Sequence, residues 1–341
     1  MSMTDRNRQL ILAERPDGPV ENRHFTMREV AVDEIGPGQV LVRNLWLGFD
    51  PTQRGWLNPN PGYVPPVEVG EVMRAFAVGQ VVASNADRVP VGSYVQGMFG
   101  WQDWVVADGA GLDLVPEGVD PKAMLGVFGT TGLTAYFGML HIGEPKEGET
   151  VVVSGAAGAT GSIAAQLARI RGSRVIGIAG GDAKCKWLTE TIGLDEAIDY
   201  REQDVAARLR ELARNKISVY FDNVGGPILD AALANIARGA RVVLCGAIST
   251  GYTPEKLPPG PANYFNLVLR SARMQGFLLF DYASQFDTAI KDLRGWVESG
   301  ELVHEEDVQE GLENAPATLQ RIFDGRNVGK QLLKIADPPL A

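Results

Sequence analysis

Cysteine is scarce in this chain of 341 residues: there are two, Cys185 and Cys245, far apart in sequence. They cannot build a disulfide framework or a cysteine-rich zinc site. The three histidines, His24, His141 and His304, are scattered without the spacing of metal ligands, so no metal is expected. Basic residues are outnumbered, 32 Lys and Arg against 42 Asp and Glu, for a net charge of −10. The cationic surplus that neutralises phosphates is missing, which argues against a nucleic-acid partner. No apolar run approaches the roughly 20 residues that span a bilayer, so no membrane partner is expected. The opening Met1-Ser-Met-Thr-Asp-Arg-Asn-Arg8 has no apolar core of a secretory signal. The expected location is cytoplasmic.

Turns are plentiful, with 40 glycines and 20 prolines, and the length suggests two domains. Residues 1–125 read as short strands at Gln9–Ala13, Val40–Leu47, Val67–Val72, Gly79–Ser84, Ser93–Gly97 and Trp104–Val106. Turns such as Pro16-Asp-Gly18, Gly36-Pro-Gly38 and Pro90-Val-Gly92 separate them. That texture predicts a small barrel or sandwich. The small and apolar stretch Ala123–Leu140 leads a helix into a second texture, in which strands and helices alternate. Strands are predicted at Thr150–Ser154, Arg174–Ala179, Ala197–Tyr200, Ile217–Asp222, Ala240–Gly246 and Met274–Leu279. Helices are predicted at Ala183–Ile192, Val205–Ala213, Ile228–Ala237, Asn263–Ser271 and Ser284–Val297. Six strands with crossover helices predict an α/β fold with a doubly wound parallel sheet. The strand after Val303, the helix near Pro316–Phe323 and the strand Lys330–Ile335 find no place in that sheet. They are assigned back to the first domain: 1–124 with 301–341 against 125–300, with a cleft between two lobes.

The chain is organised around Val151–Ile170. A β-branched run leads to Gly155, Gly158 and Gly161, and an apolar stripe of Ile163, Leu167 and Ile170 follows. Strand, glycine turn and helix open a dinucleotide-binding unit, in which the helix N-terminus meets a pyrophosphate. The same string also serves a plain strand–helix turn, and the glycine spacing departs from G-x-G-x-x-G. The next strand decides between NAD and NADP. It ends in Gly180-Gly181 where a carboxylate would hold the ribose of NAD, and Lys184 and Lys186 follow. This favours NADPH; the alternative has Asp182 capping the helix and the lysines solvated. Tyr200 either meets the adenosine or sits half-buried in the sheet. Asn223 is the candidate at the end of the fourth strand, where Asp222 serves to cap the turn. Cys245 reads as a small buried residue, not a nucleophile. Tyr252 follows on a loop stiffened by Pro254, Pro258, Pro259 and Pro261. A phenol, with a reference pKa of about 10, suits a donor to a carbonyl oxygen that gathers enolate charge; the alternative is a tyrosine that packs the loop.

Six motifs in one order carry a family resemblance: Gly155-Ala-Ala-Gly-Ala-Thr-Gly161, Ala179-Gly-Gly-Asp-Ala-Lys-Cys-Lys-Trp187, Ala197-Ile-Asp-Tyr200, Tyr220-Phe-Asp-Asn-Val-Gly-Gly226, Cys245-Gly-Ala-Ile-Ser249 and Asn327-Val-Gly-Lys330. Over essentially its whole length the chain resembles the zinc-independent medium-chain dehydrogenases/reductases. Within them it is most similar to the prostaglandin reductase, curcumin-reductase-like and alkenal double-bond reductase branch. The resemblance implies a GroES-like β-barrel catalytic domain, a Rossmann domain and an NADPH-dependent reduction of the C=C bond of α,β-unsaturated ketones and aldehydes. It implies that Gly158, Ala159, Thr160 and Gly161 hold the pyrophosphate and Lys184 the 2′-phosphate. Tyr200, Asn223, Cys245, Gly246, Ala247, Ile248, Ser249, Phe277, Leu278, Leu279 and Asn327 would line the rest of the cofactor. Tyr252 would be the catalytic tyrosine and Tyr63 a substrate contact. A homodimer through the sheet edge near Met274–Phe280 is also implied. Val69-Gly-Glu-Val72 lacks the histidine that zinc relatives carry. Asp50-Pro-Thr-Gln-Arg54 stands where the family has Asp-Pro-Tyr-Met-Arg, so Thr52 and Gln53 are expected to make the substrate wall smaller and more polar. Two rival readings are a quinone reductase and a non-catalytic NADPH-binding protein.

Overall fold

The computed structural model describes residues 6–62, 64–253 and 260–340. They fall into two compact units: residues 6–126, 251–253 and 306–340 in one, 127–250 and 260–305 in the other.

The second unit is built on six parallel strands. Across the sheet they run Glu196–Asp199, Arg174–Ala179, Thr150–Ser154, Ile217–Asp222, Ile236–Leu244 and Arg273–Gly276. The strand order therefore reverses between Thr150–Ser154 and Ile217–Asp222, the point where doubly wound sheets take ligands at their carboxyl ends. Thr150–Ser154 is buried throughout, as its β-branched run requires of a central strand. Val152, Ile176, Ile198, Tyr220 and Val242 form one core with Leu209 and Ala213 of helix Val205–Ala213 and Leu229 and Leu233 of helix Gly226–Leu233. Asp204 caps the first of these helices, its Oδ1 accepting from the backbone N–H of Ala206 and Ala207, a contact worth about 1 kcal/mol.

Boundaries differ from the sequence reading where glycine or a wide turn intervenes. The helix expected at Ala183–Ile192 is Asp182–Lys186 followed by a π-helical turn, Trp187–Thr191. The stretch Ala123–Leu140 is likewise broken into Pro121–Leu125, Thr130–Tyr136 and Phe137–Gly143. The sixth strand stops at Gly276, so Phe277, Leu278 and Leu279 follow it and are not within it.

In the first unit the sheet order is Glu306–Glu310, Lys330–Lys334, Gln39–Gly48, Ala77–Ser84, Tyr94–Gly97 and Asp113–Leu114, and Trp104–Asp108 also pairs with Gln39–Gly48. The late strands thus close onto the early ones. Trp101, fully buried, packs against Phe25 and Phe49 at centroid distances of 5.0 and 5.6 Å. Val67–Val72 is not a strand. Gly70 takes φ +97° and the Glu71 N–H bonds back to Glu68, so the apolar alternation is spent on a turn. Instead Phe25–Ala31 pairs antiparallel with Arg6–Leu12. Most of its residues are exposed, which removes the alternation by which strands are recognised.

Candidate functional site

In the second unit the glycine loop leaves Ser154 with Gly155 at φ +59°. A Cβ on Gly161 would lie 2.2 Å from the carbonyl oxygen of Gly155, so only glycine lets the helix Ala159–Ile170 start this close to the strand. Gly158 precedes that helix and supplies no side-chain cap. The N–H groups of the first turn, at Ala159, Thr160 and Gly161, point where an anion is favoured.

Asp222 organises the neighbouring turn. Its Oδ1 accepts from Ser154 Oγ (2.9 Å), Tyr220 OH (2.9 Å) and the backbone N–H of Val224 (3.1 Å) and Gly225 (3.0 Å). Burial, with the adjacent Asp222 charge, pushes the Tyr220 phenol well above its usual range and keeps it a donor. Asn223 is turned onto the same structure: its Nδ2 donates to the Ser154 carbonyl at 2.7 Å and its N–H to Ser154 Oγ at 2.9 Å. The segment 245–249 is stitched to this turn. Cys245 and Gly246 N–H donate to Asp222 O, Ile248 N–H to Asn223 O, and both Ser249 N–H and Oγ to Val224 O. Burial, helped by Asp222, pushes the Cys245 thiol up to about 12, so it is no nucleophile.

At the end of the second strand the ring of Tyr200 lies over Gly180, where a Cβ would come within 2.8 Å of it. Tyr200 is itself half exposed. Asp199 Oδ1 accepts from the Gly181 and Arg201 N–H groups at 2.8 and 2.9 Å, fixing both residues beside the ring. A Cβ on Gly181 would meet only Arg201 Nη1, at 3.9 Å. Lys186 pairs with Asp182 at 2.7 Å, and Lys184 is the third residue of the short helix Asp182–Lys186. Arg201 was not among the sequence candidates; a cation directly after Tyr200 was the available signal. The room at Gly181 and the cations around it suit a 2′-phosphate, and the Gly158–Gly161 turn suits a pyrophosphate, so the residues present fit NADPH.

In the first unit Tyr252 occupies the left-handed region, φ +51°. Its carbonyl accepts from Asn58 Nδ2 at 2.8 Å. Its ring stands edge-on to Phe323 at 6.5 Å and 3.9 Å from where a Gly55 Cβ would be. The Asp50–Arg54 motif is largely architectural. Asp50 meets Lys330 Nζ at 2.6 Å. Arg54 is 1% exposed, and burial lowers its pKa from the usual arginine value. Gln53 is buried too and donates to the Gly48 carbonyl at 2.9 Å, so it does not form the polar substrate wall expected of it. Asn327 is buried, its Nδ2 donating to Gly329 O at 2.8 Å. Tyr63, Pro254, Pro258 and Pro259 lie outside the described residues. Among the described residues no group of three His, Cys, Asp or Glu side chains is placed to hold a metal ion, and no helix is long and apolar enough to cross a membrane.

Two family profiles match: one described as the N-terminal domain of oxidoreductase over residues 8–115, the other as zinc-binding dehydrogenase over residues 159–294. The chain is 41% identical over 340 residues to YfmJ of Bacillus subtilis, named as an NADP-dependent oxidoreductase, covering 98% of this chain and 100% of the relative. It is 38% identical over 339 residues to the NADPH-dependent curcumin reductase of Escherichia coli, covering 97% of each. The crystal structure of CurA from Vibrio vulnificus in complex with NADPH superposes with a TM-score of 0.92 at 38% identity, covering 97% of this chain and 100% of that one.

Proposed function

The chain belongs to the zinc-independent medium-chain dehydrogenases/reductases, in the branch of the curcumin, alkenal and prostaglandin reductases, and from that premise we propose how its residues carry out the reaction. It is an NADP(H)-dependent oxidoreductase that reduces the C=C bond of α,β-unsaturated carbonyl compounds. When bound, the reduced nicotinamide supplies a hydride for the β-carbon of the substrate. The 2′-phosphate is read by Lys184 and Arg201 beside Tyr200, and the pyrophosphate by the turn Gly158–Gly161. Asn223, the segment Cys245–Ser249, Phe277–Leu279 and Asn327 shape the remaining cofactor surface. As negative charge builds on the substrate's carbonyl oxygen, the Tyr252 phenol donates a hydrogen bond to it. Tyr252 or a water then protonates the α-carbon. Tyr63 completes the substrate contacts.

The observation that carries this reading is the strained tyrosine itself. A non-glycine residue at positive φ costs on the order of 1–3 kcal/mol and persists where surrounding contacts impose it; here they hold Tyr252 from carbonyl to ring. The test is turnover of a simple enone and a simple quinone with NADPH by the parent and Tyr252→Phe. A loss in kcat of about 10–1000-fold with the enone is expected, by analogy with removal of one oxyanion donor. An unchanged kcat removes Tyr252 from the reaction, and turnover of the quinone alone overturns the enone assignment.

A second copy of this chain is the proposed partner. Phe265, Val268 and Leu269 on one short helix, Tyr264 capping its start, and Phe280 after the edge strand Arg273–Gly276 are large apolar side chains left exposed. Light scattering of the parent and of Val268→Asp reads it: a dimer that dissociates supports the assignment, a monomeric parent rejects it.

A further inference from the structure

We propose that Asn58, oriented by the buried guanidinium of Arg54, is the positioning residue that holds Tyr252 in its working conformation. The inference rests on the role assigned to Tyr252 above. Arg54 Nη1 donates to Asn58 Oδ1 at 2.7 Å, while its Nε and Nη2 donate to the carbonyls of Gly18 and Pro16 at 3.1 and 2.9 Å. A guanidinium only donates, so the side-chain oxygen of Asn58 must face it, and the amide nitrogen is left facing the other way. There it meets the Tyr252 carbonyl at 2.8 Å. Asn58 is 7% exposed, so water competes little for either bond.

The carbonyl it captures follows two consecutive residues at positive φ, Gly251 at +65° and Tyr252 at +51°. Glycine adopts that region freely; tyrosine does so at a cost. Releasing the carbonyl lets Tyr252 relax to negative φ, which swings its ring away from Gly55 and Phe323 and moves the phenol. A displacement of about 1 Å at a reacting centre costs up to 100-fold in rate. Arg54 and Asn58 thus act through Tyr252 and need not touch substrate.

Asn58→Asp is the informative variant. It keeps the shape and an oxygen toward Arg54, and it replaces the donor to Tyr252 by a second acceptor. In the full chain we expect kcat for a simple enone to fall about 10–100-fold while the affinity for NADPH, read by fluorescence quenching, stays within about twofold. Combined with Tyr252→Phe it should add nothing, because the two changes remove the same hydrogen bond to substrate. Should Asn58→Asp fail to fold, Asn58→Ser enters the same cycle. A parental kcat in the Asn58 variant, or a double variant slower by the product of both losses, overturns the proposal and leaves the role of Tyr252 standing. A parental kcat in Tyr252→Phe overturns both.

Discussion

The ammonium of Lys330 lies 2.6 Å from a carboxylate oxygen of Asp50, across 280 residues of sequence. Lys330 is 3% exposed at its side chain and Asp50 27%, so the two ends of this pair differ in their access to water. The pair fastens the start of the Asp50–Arg54 segment to the last strand of its sheet, and with it the helix that carries Gly55 beneath the Tyr252 ring.

That asymmetry predicts unequal losses. Asp50→Ala takes a charge-assisted hydrogen bond from a buried ammonium and should destabilise the protein by about 1.5–3 kcal/mol. Lys330→Met should cost less, because water reaches Asp50 and the methionine fills the buried volume. Denaturant midpoints of the two variants, with m-values compared, check the order.

Gly161→Ala should be costly twice over. The added methyl would stand 2.2 Å from the Gly155 carbonyl oxygen, so the loop must shift; overpacking of this kind costs about 1–3 kcal/mol. The same shift displaces the helix N-terminus, and NADPH affinity should fall at least about tenfold. Thermal unfolding and NADPH titration of one preparation read both effects.

Charge beside Gly181 should govern the choice of cofactor. Lys184→Ala and Arg201→Ala should each raise KM for NADPH by roughly 10–100-fold, the range of a lost charge-assisted hydrogen bond, and leave KM for NADH nearly unchanged. Equal losses for both cofactors would place these cations elsewhere than at the 2′-phosphate.

Cys245 should be silent toward alkylating reagents. With its pKa raised to about 12, the folded protein holds no thiolate there at pH 8. Iodoacetamide should label Cys245 only after denaturation, as peptide mass analysis would show. The linked effect on stability has a definite sign. Above pH 9, the thiol's ordinary pKa, the unfolded chain loses this proton while the folded chain keeps it. The folded state then binds more protons, so stability falls as pH rises from about 9 toward 12. Cys245→Ala should flatten that decline.

How much of this was readable beforehand follows from where each signal resides. Arg174–Ala179, Ile217–Asp222 and Val205–Ala213 have the bounds their residues announce, because a buried parallel strand and an aspartate-capped amphipathic helix are local patterns. Phe25–Ala31 was hidden, since a strand exposed on most of its length has no apolar rhythm. Val67–Val72 has the rhythm and is a turn, because Gly70 overrides it. The glycine turn before Ala159–Ile170 was legible as a motif. The bonds from Arg54 to Asn58 and from Asn58 to Tyr252 were not, since nothing in the sequence brings residue 58 to residue 252. Gln53 was misread as a wall for the same reason: its burial is a tertiary fact.

The strand Lys330–Lys334 pairs with Trp46–Gly48, and this fixes an order of events during synthesis. Until Lys330–Lys334 has been made, the stretch Trp46–Gly48 of the early sheet has no strand beside it along that edge. The parallel unit takes all its strands from residues 150–276, so none of them waits for the last strand of the chain. An edge left open is where a growing sheet can pair with a wrong partner, and this one is completed only by residues near the end of the sequence.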